Sequence, residues 1–510
     1  MIEHYLDRLA RTINENWDAP ALTDFYLTDD GSAQDTSRGN RYTYGEMYAE
    51  IVRVANYLNQ LGLKKGDHIA ICGSNSAHWV IAYLAIAKIQ GVSVTIMHSL
   101  MPEQIAELVH FSDAKALFTD ADIWVELHNL SMPQVECVMC LETWQILYGK
   151  KLEIPSRDWR SCKQIVEFEC ENNNDLAMIC FTSGSTGGPK GVLLAAKSIS
   201  EHIKVAHDVY PLKGDNSYIS FLPLAHTAGL IGDVLAHVVY GHKILLNKNE
   251  NTIDNLYNIV KIVRPYMFIT VPIVLERLCT KYGEKFIRIL KHNCRLILMG
   301  MAKWDSSIED IIEHLGIPLG TGYSQTEAGA SICLTPYKQY RRGTSGKLVN
   351  GYLMKFSDLG EILVKSENVM LGYYKNPEAT AQKIDADGWL HTGDRGYLDE
   401  DGYLYVQGRL EQDMIVLPNG ENIHPDNIES KINALEEVKE SIVLAREGKL
   451  IAIVVISSEL SADSRKALRL SILRSVNAQL PFYAQLYDIE WSDTPLARTA
   501  KQTLKRYMYK

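Results

Sequence analysis

The chain is short of positive charge. Its 52 lysines and arginines face 62 acidic residues, a formal net charge of −10. That balance argues against a nucleic-acid partner, which would ask for a basic face, but leaves open small anions, whose sites are local. It also lacks the unbroken apolar run of about 20 residues that a membrane-spanning helix needs. The most apolar span, Trp79 to Met97, is interrupted by Lys88, Gln90 and Gly91 and reads as a helix followed by a strand. The first residues, MIEHYLDRLARTINENW, carry acids and no apolar core, unlike a secretory leader. The nine cysteines follow no regular spacing. The single C-x-x-C, at Cys137 and Cys140, has no second Cys or His pair at a metal-binding distance, so it reads as two thiols in a buried strand. An odd count in a long chain fits a reducing compartment, and a cytoplasmic location is expected.

At 510 residues the chain outgrows a single hydrophobic core, so at least two domains are expected. Early on, strands alternate with helices. Met47, Ile51, Val54, Ala55, Leu58 and Leu61 recur at three- and four-residue steps, as on one helix face, and Gly62 ends the run. HIAIC then reads as a strand, His78 to Lys88 as a helix and VSVTI as a strand. This alternation predicts an α/β fold with a mostly parallel sheet. Near residue 410 the character changes. A strand at Met414 to Leu417, a helix in HPDNIESKI, strands near 440–446 and 450–457, a helix near 463–479 and a strand near 486–491 make a small α+β domain. The expected division is a large domain over 1–409 and a smaller one over 410–510.

The densest chemistry lies in DLAMICFTSGSTGGPKGV, Asp175 to Val192. An apolar run opens into a loop of glycines and hydroxyls that ends in a lysine. Such a loop brings backbone N–H groups close to phosphate, with Thr182, Ser183, Ser185 and Thr186 adding hydroxyls and Lys190 a charge. A Gly/Ser linker would need neither the preceding strand nor the lysine. No Gly-Lys-Ser/Thr closes the loop, so it is not a Walker loop. Leu222-Pro-Leu-Ala-His226 reads as a strand that ends in a proline turn, and Arg295 to Gly300 as a buried strand ending in glycine. In Pro318 to Glu327, Gly320 and Gly322 allow close approach of a ligand, Tyr323 offers a flat face, Thr326 a hydroxyl and Glu327 a hard oxygen ligand suited to Mg²⁺. Gly388-Trp-Leu-His-Thr-Gly-Asp394 presents a carboxylate that suits a pair of hydroxyls.

Phe181 to Gly191 resembles, position for position, the phosphate-binding signature of the adenylate-forming superfamily, which contains the acyl-CoA synthetases. The resemblance runs along the whole chain, through N-S-x-x-W, L-P-L-x-H, R-P-x-x-x-x-x-V-P, Tyr323 to Glu327, G-W-x-x-T-G-D and Gly408-Arg409. It implies the fold of that superfamily, with a mobile C-terminal lid. It further implies an AMP-forming ligase that makes an acyl-adenylate from ATP and a carboxylic acid, releases pyrophosphate, and passes the acyl group to CoA. A fatty acid is the expected substrate and a separate acyl carrier protein the alternative acceptor.

By the same resemblance, Thr182, Ser183, Gly184, Ser185, Thr186, Gly187 and Lys190 grip phosphate. Gly300, Gly322, Tyr323, Ser324, Gln325 and Thr326 border the nucleotide, with Tyr323 against adenine and Thr326 on the α-phosphate. Glu327 holds Mg²⁺, Asp394 takes both ribose hydroxyls, Arg409 contacts ribose or phosphate, and His226 gates the acyl site. Met301 stands where relatives have a second glycine. The hinge acid is Gln412 or Asp413, and Gly420 through Glu429 would line the CoA tunnel. The final motif, TPLARTAKQTLKRYMYK, lacks the usual glycine. Counting forward from Pro495 assigns the catalytic lysine to Lys501, counting back assigns that position to Thr503, and Lys505 is the alternative lysine. Oligomeric state is not legible.

Overall fold

The computed structural model describes residues 3–150, 163, 166–168, 172–182, 190–210, 217–300, 306–358, 360–409, 415–417, 421–423, 425–456, 461–496, 506 and 509. The largest sheet has eight strands, in the spatial order Gly372–Tyr373, Lys190–Ala195, Leu176–Thr182, Val92–Thr95, His68–Cys72, Ala116–Thr119, Cys137–Cys140 and Ile146–Gly149. The five strands from Leu176–Thr182 to Cys137–Cys140 run parallel, and the flanking pairs are antiparallel. A second sheet joins Met267–Thr270, Leu296–Met299 and Leu319–Gln325 in parallel, then Ala330–Leu334 and Lys347–Leu348 antiparallel. A third, of four strands, mixes both senses. A fourth, Leu353–Phe356, Glu361–Lys365, Leu390–Leu398 and Leu404–Arg409, is wholly antiparallel. The α/β expectation holds, with parallel sheet centres and antiparallel edges.

Local chemistry explains the elements that carry this frame. Thr43 caps the helix Tyr44–Gln60 through a capping box with Glu46, which satisfies two free N–H groups at the helix start. Gly62, at φ +85°, turns the chain away from that helix as glycine does after a helix end. The helix Ala77–Lys88 is capped by Ser76 and buried from Ala77 to Ile86. A helix apolar on every side belongs inside a core, and this accounts for the apolar span from Trp79 without a membrane. Among the described residues no helix is long and apolar enough to cross one. Cys137 and Cys140 lie in a fully buried strand, as their apolar surroundings implied.

One expected strand is a turn. Pairing stops at Ser220, and Leu222 to His226 bends away, with the His226 N–H donating to the Pro223 carbonyl at 3.1 Å. Pro223 has no N–H to offer a ladder. The chain then enters a π-helix, Ala228–Leu235. Gly229 is required at its start, because a Cβ there would lie 2.2 Å from the Pro223 carbonyl oxygen.

The C-terminal part has its own core, gathered from Leu417, Ile428, Ile432, Val443, Ile472 and their neighbours. Strands Val438–Arg446, Lys449–Ile456 and Leu486–Ser492 form its sheet. Helices Pro425–Asn433 and Ala462–Asn477 accompany them. The fold is thus a large N-terminal domain followed by a smaller C-terminal one.

Candidate active site

Sites in open α/β sheets form beyond the carboxyl ends of the strands, and the chemistry-bearing segments converge there. Thr182 ends its strand opposite Lys190, the two paired across the base of the glycine-rich loop. The Lys190 ammonium lies 5.5 Å from the centre of the Tyr373 ring, within reach of a cation–π attraction. The Tyr373 hydroxyl donates to Glu327 Oε1 at 2.9 Å, and the Glu327 carbonyl accepts from the Met370 N–H at 2.9 Å. The base of the loop and the expected metal ligand are therefore joined through one tyrosine. Sequence reasoning missed Tyr373. Its only signal is the aromatic pair in Leu371-Gly-Tyr-Tyr374, which says nothing of what it touches.

A second cluster joins residues about seventy positions apart. Asp394 Oδ2 accepts from the Tyr323 hydroxyl at 2.6 Å and from Gln325 Nε2 at 2.6 Å. Gln325 Nε2 also donates to the Thr392 carbonyl at 3.0 Å, and the Thr392 hydroxyl accepts from the Asp394 N–H at 3.1 Å. Hydrogen bonds to a carboxylate are the stronger kind, and these hold Asp394 in one orientation. Arg409 lies opposite Asp394 in the strand register. Tyr323 is buried at 8% exposure, so its ring position is set by packing.

At Gly320 and Gly322 the neighbouring side chains are close enough to favour glycine whether or not a ligand lies beside them. A Cβ at Gly320 would meet Leu298 Cδ2 at 2.3 Å, and one at Gly322 would meet Leu334 Cδ2 at 2.8 Å. Strand packing alone thus favours glycine at these two positions, beside any role in ligand approach. Gly300 differs, with open space where its Cβ would stand. Thr326 and Glu327 sit in a short 3₁₀ turn, Thr326–Ala328, and Ser324 is exposed in the strand before it.

The His226 turn is tied to the same sheet end. The Ala225 carbonyl accepts from the Thr95 hydroxyl at 3.0 Å and from the Cys180 thiol at 3.6 Å. Burial pushes that thiol up to about 11. The His226 Nδ1 accepts from the Ala228 N–H at 3.2 Å, and burial holds its imidazole below the ordinary value. A neutral ring with Nδ1 occupied suits a gate better than a proton donor.

Glu327 is suited to Mg²⁺. One of its oxygens accepts from Tyr373, and magnesium is commonly held by one or two carboxylates together with substrate phosphates. The one carboxylate cluster among the described residues that could hold a metal unaided, Asp120, Asp122 and Glu142, lies elsewhere; there Asp120 Oδ2 takes the Ser74 N–H and hydroxyl.

Ser183, Gly184, Ser185, Thr186 and Gly187 lie outside the described residues, as do Met301, Gln412, Asp413, Lys501, Thr503 and Lys505. The tail beyond the lysine motif is anchored at Arg506. Its guanidinium, 4% exposed, pairs with both oxygens of Glu429 and donates to the Val443 carbonyl at 3.2 Å. Glu429 also accepts from the Val443 N–H at 2.6 Å. Glu429, the last residue of the segment expected to line a CoA tunnel, thus has both oxygens committed inside the small domain.

Residues 9–374 match the family model of the AMP-binding enzyme, and residues 412–509 match that of the AMP-binding enzyme C-terminal domain. A 4-coumarate–CoA ligase of Oryza sativa is 25% identical over 92% of this chain and 89% of its own length. A long-chain-fatty-acid–CoA ligase of Mycobacterium bovis is 25% identical over 82% of this chain and 77% of its own. Among solved structures, an o-succinylbenzoate CoA synthetase from Bacillus subtilis, bound to a product analogue, superposes with a TM-score of 0.78. It covers 98% of this chain and 97% of that one at 22% identity, a likeness of fold.

Proposed function

Because the chain belongs to the AMP-binding enzyme family, we propose that it is an acid–thiol ligase that activates a carboxylic acid with ATP and transfers the acyl group to CoA. The observation that carries this reading is the meeting of Tyr323, Gln325 and Asp394 in one hydrogen-bonded cluster, beside the pairing of Glu327 with Tyr373 next to Lys190. The first group is an acceptor preset for ribose hydroxyls, and the second is a site for phosphate charge.

In the first step a carboxylate oxygen attacks the α-phosphorus of ATP, an acyl–adenylate bond forms and pyrophosphate leaves. Both reactants are anions, so orientation and charge neutralisation carry the rate. Asp394 holds the ribose, with Arg409 alongside. Tyr323 borders adenine, with Gly300, Gly322, Ser324 and Gln325 around it. Thr326 donates to the α-phosphate. Thr182, Lys190 and the intervening Ser183 to Gly187 bind the β- and γ-phosphates. Magnesium bound at Glu327 would draw off phosphate charge. In the second step the CoA thiol attacks the acyl carbon and AMP departs. The small domain, taken to begin after Arg409 and to pivot at Gln412 or Asp413, brings Lys501 or Lys505 to the phosphate for the first step and withdraws it for the second.

The acceptor is taken as CoA, for which the relatives are named; nothing favours a carrier protein. The finer reading of the acid as a fatty acid rests on the fatty-acyl-like motifs and on the relative named for long-chain fatty acids, beside another named for coumarate. A reducing, cytoplasmic setting agrees with the seven free cysteines among the described residues. The test is pyrophosphate release against a panel of carboxylates, with and without CoA. Release that needs an acid, and acyl-CoA formed only with the thiol present, are expected; no acid-dependent release from any member would overturn the reading. Lys501→Ala and Lys505→Ala then assign the lysine, since only the catalytic one slows adenylate formation.

A further inference from the structure

A cavity of about 300 Å³ opens between the helix Ala196–Val209 and the Lys347–Leu348 edge of the second sheet. Glu201, Val205 and Asp208 line it from the helix, at a spacing that puts them on one face. Leu334, Leu348 and Val349 line it from the sheet. His226, Glu327 and Asp394 are not among its walls, so it is distinct from the nucleotide site. Its volume lies at the low end of the range for small-molecule sites.

Charge inside it is unevenly matched. Both lining lysines are engaged elsewhere: the Lys204 ammonium pairs with Asp208, and Lys347 Nζ stands 4.6 Å from the centre of the Tyr403 ring. The Glu201 carboxylate has no such engagement. Its Oε2 is buried without a hydrogen-bond partner among the described residues, and its Oε1 lies 3.7 Å from where a Cβ of Gly351 would stand. Asn368, 5% exposed, borders the same spot through Nδ2 at 3.8 Å, and its Oδ1 is likewise buried and unmatched. Acceptors cut off from water without donors cost free energy, which a donor on a ligand would return. A divalent cation would ask for about six oxygens, and Glu201 is the one carboxylate lining the cavity that is not already paired. The apolar walls suit a hydrocarbon stem that carries a charged head.

We propose that this cavity binds a primary alkylammonium ion, with its head on Glu201 and its stem along Val205, Leu334 and Val349, and that the bound ion steadies the turn that bears Glu327. The second part follows from connectivity. Tyr352, next after Gly351, donates its hydroxyl to the Ala328 carbonyl at 2.5 Å. The Met370 N–H, two residues after Asn368, donates to the Glu327 carbonyl at 2.9 Å. A ligand that holds Glu201 and the Gly351 turn in place therefore acts on the segments that grip Glu327 and Ala328.

The test uses hexylammonium, with hexan-1-ol as the same stem without charge and ammonium as the charge without a stem. Each is titrated calorimetrically into the full chain at neutral pH, with no ATP and no acid present, and Tm is read alongside. Hexylammonium should bind saturably, one ion per chain, and raise Tm; both controls should bind about tenfold more weakly. Glu201→Gln, which keeps the shape and removes the charge, should weaken hexylammonium by about the same factor, and Glu201→Asp should restore part of the affinity. Hydrogen exchange at the Gly329 and Met370 amides should slow on saturation in the parent protein and not in Glu201→Gln. No saturable binding to the parent, hexan-1-ol binding as tightly as hexylammonium, or equal affinity in a folded Glu201→Gln would overturn the site. Saturable binding with unchanged exchange would uphold the site and overturn its link to the turn. Because ATP is absent throughout, failure here leaves acid activation standing, and failure of acid activation leaves this site standing.

Discussion

The two ends of the cleft treat their buried polar groups in opposite ways. Around Asp394, side chains from distant segments pair with one another: Tyr323 and Gln325 both donate to one carboxylate oxygen and Tyr373 donates to Glu327, with only Gln325 Oε1 buried without a partner among the described residues of this cluster. Beneath the π-helix, Asp233 Oδ2, His237 Nε2 and His242 Nδ1 are buried without a partner among the described residues. A satisfied network is rigid and presents its charges preset, which is what catalysis on a fixed nucleotide requires. A π-helix is rare and frequent at functional sites, and unmatched buried groups beside one call for an explanation. On the proposed function, the more fully matched cluster, the stiff end, is the one suited to hold a fixed nucleotide, and the less matched one, the soft end, is free of that demand.

The strongest way to break that comparison is at Glu327. If the stiff end carries the chemistry, Glu327→Ala should lower acid-dependent pyrophosphate release about 10³-fold, with the folding midpoint nearly unchanged. A loss under tenfold at saturating magnesium would remove Glu327 from the phosphate site. Next comes Asp394→Ala, which deletes the acceptor for two hydroxyls and leaves the Tyr323 and Gln325 donors unmatched. Its kcat/KM for ATP should fall about 10²-fold, mostly through KM. An equal fall with 2′,3′-dideoxy-ATP, which lacks both hydroxyls, would show that the carboxylate only orders the strand.

These contacts mark the limit of what is legible in the chain. Tyr323, Gln325 and Asp394 could be singled out because each stands in a short run dense in glycine, hydroxyl and acid, where local chemistry is informative. That they share one oxygen depends on the register of the strand Leu390–Leu398 and on how two sheets meet, which no local pattern encodes. Leu222 to His226 was misread because apolar residues suggest a strand, while the ladder ends at Ser220 and Pro223, three residues on, has no N–H to extend it. The pairing of Glu429 with Arg506 was not legible because the two stand 77 positions apart.

Tyr373→Phe sharpens the comparison at the stiff end. It removes one hydroxyl and keeps the ring beneath Lys190. The hydrogen bond to a carboxylate is worth about 1.5 kcal/mol, so kcat should drop about tenfold with KM for the acid unchanged. No change in kcat would mean that Glu327 is held by its turn alone and that the network is less stiff than its contacts suggest.

The smallest effect belongs to the soft end and is read in stability. Burial pushes the Asp233 carboxyl from 3.8 up to about 7, so its contribution is full below its unfolded value and is lost as pH rises toward 7. Burial pushes the His237 imidazole from 6.5 down to about 3, opposed by its bond to the Asp233 carbonyl. Its contribution is full above 6.5 and is lost as pH falls toward 3. Between pH 4 and 6.5 the two slopes therefore oppose, and the parent protein should show a flattened stability profile there. Asn matches the neutral carboxyl in shape, so Asp233→Asn removes only the downward slope. Urea midpoints taken from pH 4.5 to 7.5 should then rise with pH in the variant, which gains on the parent by about 1 kcal/mol per pH unit up to pH 7. Parallel profiles would mean that Asp233 stays charged in the folded protein. The unmatched groups under the π-helix would then be balanced, and the contrast between the two ends of the cleft would fail.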